Sequence, residues 1–249
     1  MAAITLDISS LDRPAWHDCS HCNFKPGDNI DIWLIEVAKN LHFLKSFAAL
    51  LNKEELARAN RYLRKEDHNR FIISRVSLRY ILSKYIGKQP QEIVFELEPN
   101  RKPYINGAGI QYNLSDSNNQ VLIAISGQPV GIDVEYIKPK FYYDTILPLN
   151  FSIPEIDFIN EQDSPNRFFK LWTRKEAILK ATGIGLTDHL KQIPSLDGQY
   201  AIDGGLISTR NNWRLSSFMS SEDYMATIAS GPLVTTYNFY EFNYEEFAI

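Results

Sequence analysis

The sequence predicts an α+β protein of two similar lobes related by pseudo-twofold symmetry, each a small antiparallel sheet with one long helix. Two segments with helical periodicity end at glycines, Gly87 and Gly183. A pair of strand-like segments follows each helix, and segment 112–126 resembles segment 213–230 in its pattern. This repeated plan indicates two lobes, and a cleft between lobes is a common place for a ligand site.

The first lobe is expected over residues 30–127. Its helix has a favourable N-cap in Asn52, with acidic residues in the first turn, and Gly87 ends it. The elements expected in this lobe are a strand at 30–37, a helix at 52–85, and strands at 93–97, 110–114 and 120–126.

The second lobe is expected over residues 128–249. Ser164 followed by Pro165 is typical of a helix start, and Gly183 ends that helix. The expected elements are a strand at 130–137, a helix at 166–182, and strands at 213–218 and 224–230. Residues 1–29 show no clear period and are interpreted as an N-terminal arm on the surface.

The composition argues against several classes of protein. Apolar residues make up 44% and charged residues 22%, as in ordinary globular proteins. The net charge of −4 does not favour nucleic-acid binding. No apolar run approaches the roughly 18–20 residues that a membrane span needs, and the N-terminus lacks a secretory signal. We therefore expect a cytoplasmic protein that binds neither nucleic acid nor a membrane.

Basic residues are concentrated in one stretch of this acidic chain. They indicate either a solvated helix face or a local site for phosphates or an acidic partner. The residues are Arg58, Arg61, Arg64, Lys65, Arg70, Arg75, Arg79 and Lys84.

Two cysteines, Cys19 and Cys22, lie among histidines near the N-terminus. A Cys-x-x-Cys pair with nearby histidines can bind zinc, but the chain has no second pair of cysteines to complete such a site. The segment is therefore interpreted as part of the arm, and a zinc site is the alternative.

Asp133 and Glu135 lie two residues apart on a predicted strand, so their side chains share one face. Like charges held this close repel each other unless a cation neutralises them. The pair by itself fits either an ordinary solvent-facing strand or a Mg²⁺ site with room for a substrate phosphate.

Trp172, Glu176 and Lys180 are spaced by four and line one face of the predicted helix, with Lys175 beside them. A surface ion pair explains Glu176 and Lys180 alone, but it does not explain the tryptophan in the same register. Trp172 is expected to pack beneath a site rather than to take part in chemistry.

Two motifs together resemble the signature of 4′-phosphopantetheinyl transferases. They are Gly131-Ile132-Asp133-Val134-Glu135 and, after residues 136–171, Trp172-Thr173-Arg174-Lys175-Glu176-Ala177-Ile178-Leu179-Lys180. The length and two-lobed plan resemble the long, pseudo-dimeric Sfp-type enzymes rather than the short trimeric type. The resemblance extends from about residue 31 to residue 230 and implies the fold of that family.

The resemblance implies a reaction and a metal site. These enzymes transfer the 4′-phosphopantetheine arm of coenzyme A to a serine of an acyl or peptidyl carrier protein, depend on Mg²⁺, and release 3′,5′-ADP. It implies that Asp133, Glu135 and Glu176 bind Mg²⁺ and that Glu176 accepts the serine proton. Lys180, assisted by Lys175, is expected to stabilise charge on the phosphate.

The resemblance also implies a coenzyme site. Lys102 and Ser115 match family positions that meet the coenzyme phosphates, and Arg58 and Arg70 match basic positions near the 3′-phosphate. Asp116 departs from the family, which usually has histidine there, so it must point away, be shielded or mark a changed grip. The expected coenzyme-binding residues are Arg58, Arg70, Lys102, Ser115, Asp116 and Lys180.

Other functions remain open at this point. The same acids could serve a Mg²⁺-dependent nucleotide pyrophosphohydrolase, or a protein that binds coenzyme A or a carrier without transfer. The apolar segment 141–147 either presents a surface to the carrier or packs between the lobes. Duplication within one chain favours a functional monomer.

Overall fold

Two β-sheets, each with a long helix packed on one face, form the framework of the computed structural model. The structure describes residues 3–185 and 187–247. Residues 1–2, 186 and 248–249, which belong to the predicted arm and second lobe, lie outside the described residues.

The strands and helices are numbered in chain order within the described residues. The strands are β1 (Ala3–Ser10), β2 (Asn29–Glu36), β3 (Glu96–Leu97), β4 (Pro103–Tyr104), β5 (Gln111–Ser117), β6 (Gln120–Ser126), β7 (Val130–Tyr136), β8 (Gly198–Asp203), β9 (Trp213–Ser221), β10 (Tyr224–Ser230) and β11 (Thr236–Glu241). The α-helices are α1 (Val37–Asn40), α2 (Leu44–Ala48), α3 (Lys53–Ala59), α4 (Lys65–Ile86), α5 (Leu147–Asn150), α6 (Ile153–Asn160), α7 (Ser164–Thr182) and α8 (Tyr244–Phe247).

The two halves of the chain repeat one topology. In the first half β2 pairs with β6 and β6 with β5, all antiparallel, and α4 lies between β2 and this pair in the chain. In the second half β7 pairs with β10 and β10 pairs with β9, again antiparallel. Helix α7 lies between β7 and this pair of strands in the chain. This confirms the α+β fold class, and the equivalent strands fall in the segments 112–126 and 213–230 whose patterns resemble each other.

Each sheet is extended by a strand from the opposite end of the chain. The sheet order is β11-β2-β6-β5 in one lobe and β7-β10-β9-β1-β8 in the other. β11 runs parallel to β2, and β1 runs parallel to β9. Both sheets are therefore mixed, whereas the sequence predicted antiparallel strands throughout.

The arm interpretation of residues 1–29 is wrong for the segment that forms β1. This strand lies inside the five-stranded sheet between β9 and β8. Ile4, Leu6 and Ile8 alternate along it and are almost fully buried. That alternation is a strand signal, and the polar residues between these positions lie on the opposite face.

Both long helices end where the sequence predicted, but the first begins later than predicted. Asn52 forms a capping box at the start of α3. The predicted helix 52–85 is interrupted after α3, however, and α4 begins only at Lys65, where acidic residues in its first turn favour a new helix start. Gly87 and Gly183 adopt left-handed conformations at the ends of α4 and α7. None of the helices in the described part of the chain has the length and apolar character needed to span a bilayer.

Strand β7 joins the lobes and also carries the site. Ile132 and Val134 belong to an apolar cluster that includes residues of β2, β6 and β10. The opposite face of β7 contacts α7 most closely at Gly131, where an added Cβ would lie 2.1 Å from the carbonyl oxygen of Ala177. Glycine is required here because the helix backbone occupies the space of a side chain.

Candidate active site

Strand β7 carries Asp133 and Glu135 on the face that meets α7. Asp133 is buried, and its Oδ1 accepts hydrogen bonds from the Ser115 hydroxyl at 2.8 Å and the Lys180 ammonium at 2.7 Å. Its Oδ2 is buried without a hydrogen-bond partner among the described residues. A buried carboxylate oxygen without a partner is costly, so this atom indicates a ligand that the protein itself does not supply.

Glu135 and Glu176 complete an acidic group with Asp133. Burial raises the pKa of the Glu135 carboxyl, and the charge of Asp133 raises it further, whereas a hydrogen bond from Ser117 opposes the increase. Burial also raises the pKa of Glu176 to about 7, with a second contribution from Asp133. Two acids whose ionised forms are disfavoured in this way would gain stability from a cation.

The chemistry of this acidic group fits a divalent cation. Carboxylate oxygens are the ligands that Mg²⁺ prefers, and the Oδ2 atom of Asp133 is available. In this structure the carboxylates of Asp133, Glu135 and Glu176 do not converge on one point. Among the described residues, only Asp18, Cys19 and Glu246 place three possible ligand atoms, two carboxylate oxygens and one sulfur, within 4.8 Å of one another. In this structure the Lys180 ammonium provides the positive charge beside Asp133.

Side chains of β5 support β7 across the junction between the sheets. Asn113, Ser115 and Ser117 accept hydrogen bonds from three alternate backbone N–H groups of β7, at 2.8, 3.3 and 3.1 Å. Ser115 therefore touches the acidic group directly through Asp133. The sequence predicted that Ser115 meets the coenzyme phosphates, and this stays a prediction.

A cleft of about 260 Å³ opens beside the acidic group. Its walls include Arg101, Lys102, Asn113, Glu176 and Lys180. The Lys102 ammonium donates to two backbone carbonyls, one at the start of β7 and one near the end of α7, at 3.3 and 2.8 Å. Burial lowers its pKa. The fold thus brings Lys102 together with two residues of the predicted catalytic group.

Asp116 is shielded by an arginine. The Arg70 guanidinium donates to Asp116 at 2.6 Å and to Asp67 at 2.7 Å. Because side chains alternate along β5, Asp116 lies on the face opposite Ser115. The structure therefore pairs the unusual aspartate with one of the basic residues predicted to hold the coenzyme, and the charge of that arginine is largely neutralised.

Arg75 belongs to the basic stretch noted in the sequence, but it was not among the residues expected to bind the coenzyme. Arg58 and Arg75 lie over the ring of Phe71, at 5.2 and 5.5 Å from its centroid. Burial lowers the pKa of Arg75, and the charge of Arg58 adds to the effect. Among the described residues neither guanidinium forms an ion pair within 4.0 Å, and the hydroxyl of nearby Tyr112 is buried without a partner. Phe71 and Arg75 are four residues apart, about one helical turn, and this spacing is the signal in the sequence for the contact between them.

Two family models match adjacent parts of the chain. Residues 39–128 match the model described as 4′-phosphopantetheinyl transferase, N-terminal, and residues 129–229 match the model of the 4′-phosphopantetheinyl transferase superfamily. The chain belongs to this superfamily.

Relatives of known name agree with the match. The transferase is 31% identical to the 4′-phosphopantetheinyl transferase HetI of Nostoc sp. over 81% of this chain and 87% of HetI. It is 33% identical to the 4′-phosphopantetheinyl transferase psf-1 of Bacillus pumilus, over 65% of this chain and 70% of psf-1. Identity to the 4′-phosphopantetheinyl transferase Sfp of Bacillus subtilis (strain 168) is 29%, over 63% and 72% of the two chains.

Lys175 of this transferase does not lie at the acidic group, contrary to the sequence prediction. It is buried, and its ammonium donates to Glu155 and to the backbone carbonyls of Leu190 and Ile193, at 3.2, 2.9 and 2.5 Å. These contacts use all three ammonium hydrogens. Burial lowers the pKa of Lys175 to about 8, and Glu155 opposes the shift. The residue links α7 to α6 and to the segment before β8.

The aromatic residues near the site belong to the core of the second lobe. Trp172 stacks on Phe168 with 6.0 Å between ring centroids, as its packing role predicted. Phe141 and Tyr143 pack against the same cluster, which consists of residues of the second lobe rather than of the junction between lobes. Tyr142, in contrast, is 88% exposed.

The two cysteines are free in the structure. Cys19 donates to Glu246 at 2.9 Å, and burial raises its pKa to about 12. Cys22 is buried beside Tyr85, and burial raises its pKa too. Among the described residues, the possible metal ligands close to Cys19 are Asp18 and Glu246 and do not include Cys22, so the geometry does not support a zinc site shared by the two cysteines.

Proposed function

We propose that this transferase moves the 4′-phosphopantetheine arm of coenzyme A to a serine hydroxyl of an acyl or peptidyl carrier protein. The observation that carries the proposal is the cleft lined by Lys102, Glu176 and Lys180. Lys180 also donates to Asp133, whose second carboxylate oxygen is buried without a partner among the described residues. A phosphate group requires positive charge around it, and an attacking hydroxyl requires a base. Both kinds of group line one cavity.

Asp133, Glu135 and Glu176 would hold a Mg²⁺ ion. When bound, the ion would neutralise charge on the coenzyme pyrophosphate and on the three carboxylates. The raised pKa of Glu176 and the unsatisfied Oδ2 of Asp133 support this assignment.

In the proposed step the serine oxygen forms a bond to the β-phosphorus, which carries pantetheine. The anhydride bond between that phosphorus and the ADP portion breaks, and 3′,5′-ADP leaves. The serine proton passes to a carboxylate oxygen of Glu176, which lines the cleft and acts as the general base. Lys180 stabilises negative charge on the phosphate oxygens.

The coenzyme phosphates would be held by basic groups around the cleft. Lys102 and Ser115 lie near the pyrophosphate position in this assignment. Arg58 and Arg75 are better suited than Arg70 to bind the 3′-phosphate, because the charge of Arg70 is already neutralised by two aspartates. Asp116 is neutralised by Arg70 and so does not repel the coenzyme.

We also infer that the enzyme acts as a monomer on an acidic carrier. A single chain supplies both β5 and α7, the two sides of the acidic group. The exposed Tyr142 and the basic residues at the start of α4 offer apolar and positive contacts to a carrier.

The test combines transfer and product analysis. The protein is incubated with coenzyme A, Mg²⁺ and an apo-carrier protein, and the carrier is weighed by mass spectrometry while 3′,5′-ADP is quantified. We expect one phosphopantetheine per carrier and an equal amount of 3′,5′-ADP. Release of 3′,5′-ADP without a carrier would instead show hydrolysis, and coenzyme binding without either product would show a non-catalytic protein. Chelation of the metal should abolish transfer.

A further inference from the structure

Ser117 repeats, one pleat along β5, the contacts that Ser115 makes with β7. The Ser115 hydroxyl donates to Asp133 and accepts from the N–H of Val134. The Ser117 hydroxyl donates to Oε2 of Glu135 at 2.8 Å and accepts from the N–H of Tyr136 at 3.1 Å. The spacing of two residues on both strands keeps the two sets of contacts in register.

These contacts fix the direction of each hydroxyl proton. A serine hydroxyl has one donor and two acceptor sites and otherwise rotates freely. Once a backbone N–H occupies an acceptor site, the hydroxyl oxygen is held, and its proton points to the adjacent carboxylate. Among the described residues, the bond from Ser117 is the one hydrogen bond to the Glu135 carboxylate. Glutamate has one more rotatable bond than aspartate, so its carboxylate depends more on such a bond for its position.

The supporting hydroxyls and the carboxylates lie on different lobes. β5 belongs to the four-stranded sheet and β7 to the five-stranded sheet, and the side chains of Asn113, Ser115 and Ser117 take the place of backbone pairing between them. The relative position of the lobes therefore sets the orientation of both strand carboxylates.

We propose that Ser117 is a positioning residue that orients Glu135 for metal binding across the lobe junction. The inference rests on the proposed function, because it takes Glu135 to be a metal ligand. Ser117 itself touches neither the cation nor the coenzyme in this assignment. Groups that orient metal ligands by hydrogen bonds typically change metal affinity by about 10- to 100-fold when they are removed.

The test uses direct metal binding rather than activity alone. Binding of Mn²⁺ to the full chain is titrated by electron paramagnetic resonance for the wild type, Ser117→Ala and Ser117→Thr. Ser126→Ala is a matched control, because the Ser126 hydroxyl also accepts from a backbone N–H and donates to an oxygen, at 3.1 Å each, but far from the carboxylates. Thermal unfolding of each variant is recorded alongside, and Ser117→Cys replaces Ser117→Ala if the latter does not fold.

We expect Ser117→Ala to weaken Mn²⁺ binding by about 10-fold or more, and Ser117→Thr to restore it because threonine keeps the hydroxyl. Ser126→Ala should bind Mn²⁺ like the wild type. In transfer assays Ser117→Ala should need more Mg²⁺ but keep its KM for coenzyme A at saturating Mg²⁺.

Three results would overturn the inference, and the first can be told apart from the other two. If Ser117→Ala binds Mn²⁺ as the wild type does while Asp133→Asn does not bind it, the metal site stands and the role of Ser117 is wrong. If the wild type binds no Mn²⁺, or if Asp133→Asn binds it equally well, the metal assignment fails and the role of Ser117 fails with it.

Discussion

Lys175 and Lys180 are both lysines of α7, yet their side chains leave the helix on different faces. Lys180 reaches Asp133 and Ser115 in the cleft. Lys175 points into the second lobe and is saturated by Glu155 and two backbone carbonyls. Proximity in sequence to Glu176 is therefore a poor guide to function on a helix, where neighbours are about 100° apart.

Substitution of these two lysines should separate stability from catalysis. Lys175→Met leaves the buried Glu155 without its cation and should lower the free energy of unfolding by about 3 kcal/mol. The folded fraction should keep its kcat within a few-fold. Lys180→Met should lower kcat by about 100-fold or more, because it removes the charge that stabilises the phosphate.

The measurements are urea denaturation for stability and single-carrier transfer assays for kcat. The lysine assignments would have to be reversed if Lys175→Met abolished transfer in a protein of normal stability.

Glu176→Gln should abolish transfer and, without metal, stabilise the protein at pH 8. The folded pKa of Glu176, about 7, lies above its ordinary value of 4.5, so the folded chain binds more protons than the unfolded chain between these values. Wild-type stability from this group therefore decreases as the pH rises from about 4.5 to 7. The substitution removes that loss, which we expect to be about 1–3 kcal/mol at pH 8.

Thermal unfolding at pH 8 and pH 4.5, in chelator, measures this effect. The difference between wild type and Glu176→Gln should shrink at the lower pH, where the glutamate is protonated in the folded protein. An equal difference at both pH values would show that burial and the neighbouring Asp133 do not raise the pKa of Glu176.

At the scale of elements, α7 is positioned by its contact with β7 at Gly131. The helix backbone lies so close to the strand that no side chain fits between them. This approach brings Glu176 and Lys180, which directly precede the contacting residues Ala177 and Ala181, to the face of the strand that carries the acids. The glycine in the first motif is thus a packing requirement of the site.

Gly131→Ala should destabilise the protein and impair metal binding together. The new methyl group would meet backbone atoms of Ala177 and Ala181 at 2.1–2.9 Å, so α7 must move. We expect a loss of at least about 2 kcal/mol, as overpacking against backbone typically causes. Gly231→Ala is the matched control, because a Cβ there meets nothing within 4 Å. Urea denaturation and Mn²⁺ titration measure the two effects, and equal behaviour of both alanine variants would contradict the packing role.

At the scale of the whole molecule, the ends of the chain tie the lobes together. β1 from the N-terminus completes the sheet of the second lobe, and β11 from the C-terminal region completes the sheet of the first. Because each lobe contains a strand from the other end, we expect both lobes to unfold in one cooperative transition.

Leu6→Ala tests the structural role of β1. Leu6 is fully buried in this strand, whereas the neighbouring Thr5 is exposed. Leu6→Ala should lower the free energy of unfolding by about 2–5 kcal/mol. Thr5→Ala should change it by no more than about 0.5 kcal/mol. Far-UV and near-UV circular dichroism in urea should report one shared unfolding transition. Equal stability of Leu6→Ala and Thr5→Ala would instead support an N-terminal arm that is dispensable for folding.

The sequence alone determined the repeated α+β plan, the ends of the long helices, and the meeting of Asp133 and Glu135 on one face. These features follow from local rules, since glycine ends helices and side chains alternate along strands. Only the tertiary structure decided which lysine faces the acids, that Arg70 shields Asp116, and that Ser117 supports Glu135 from the other lobe. Those contacts join residues 18 to 65 positions apart, and helix rotation and lobe packing, which a local pattern does not encode, determine whether they form.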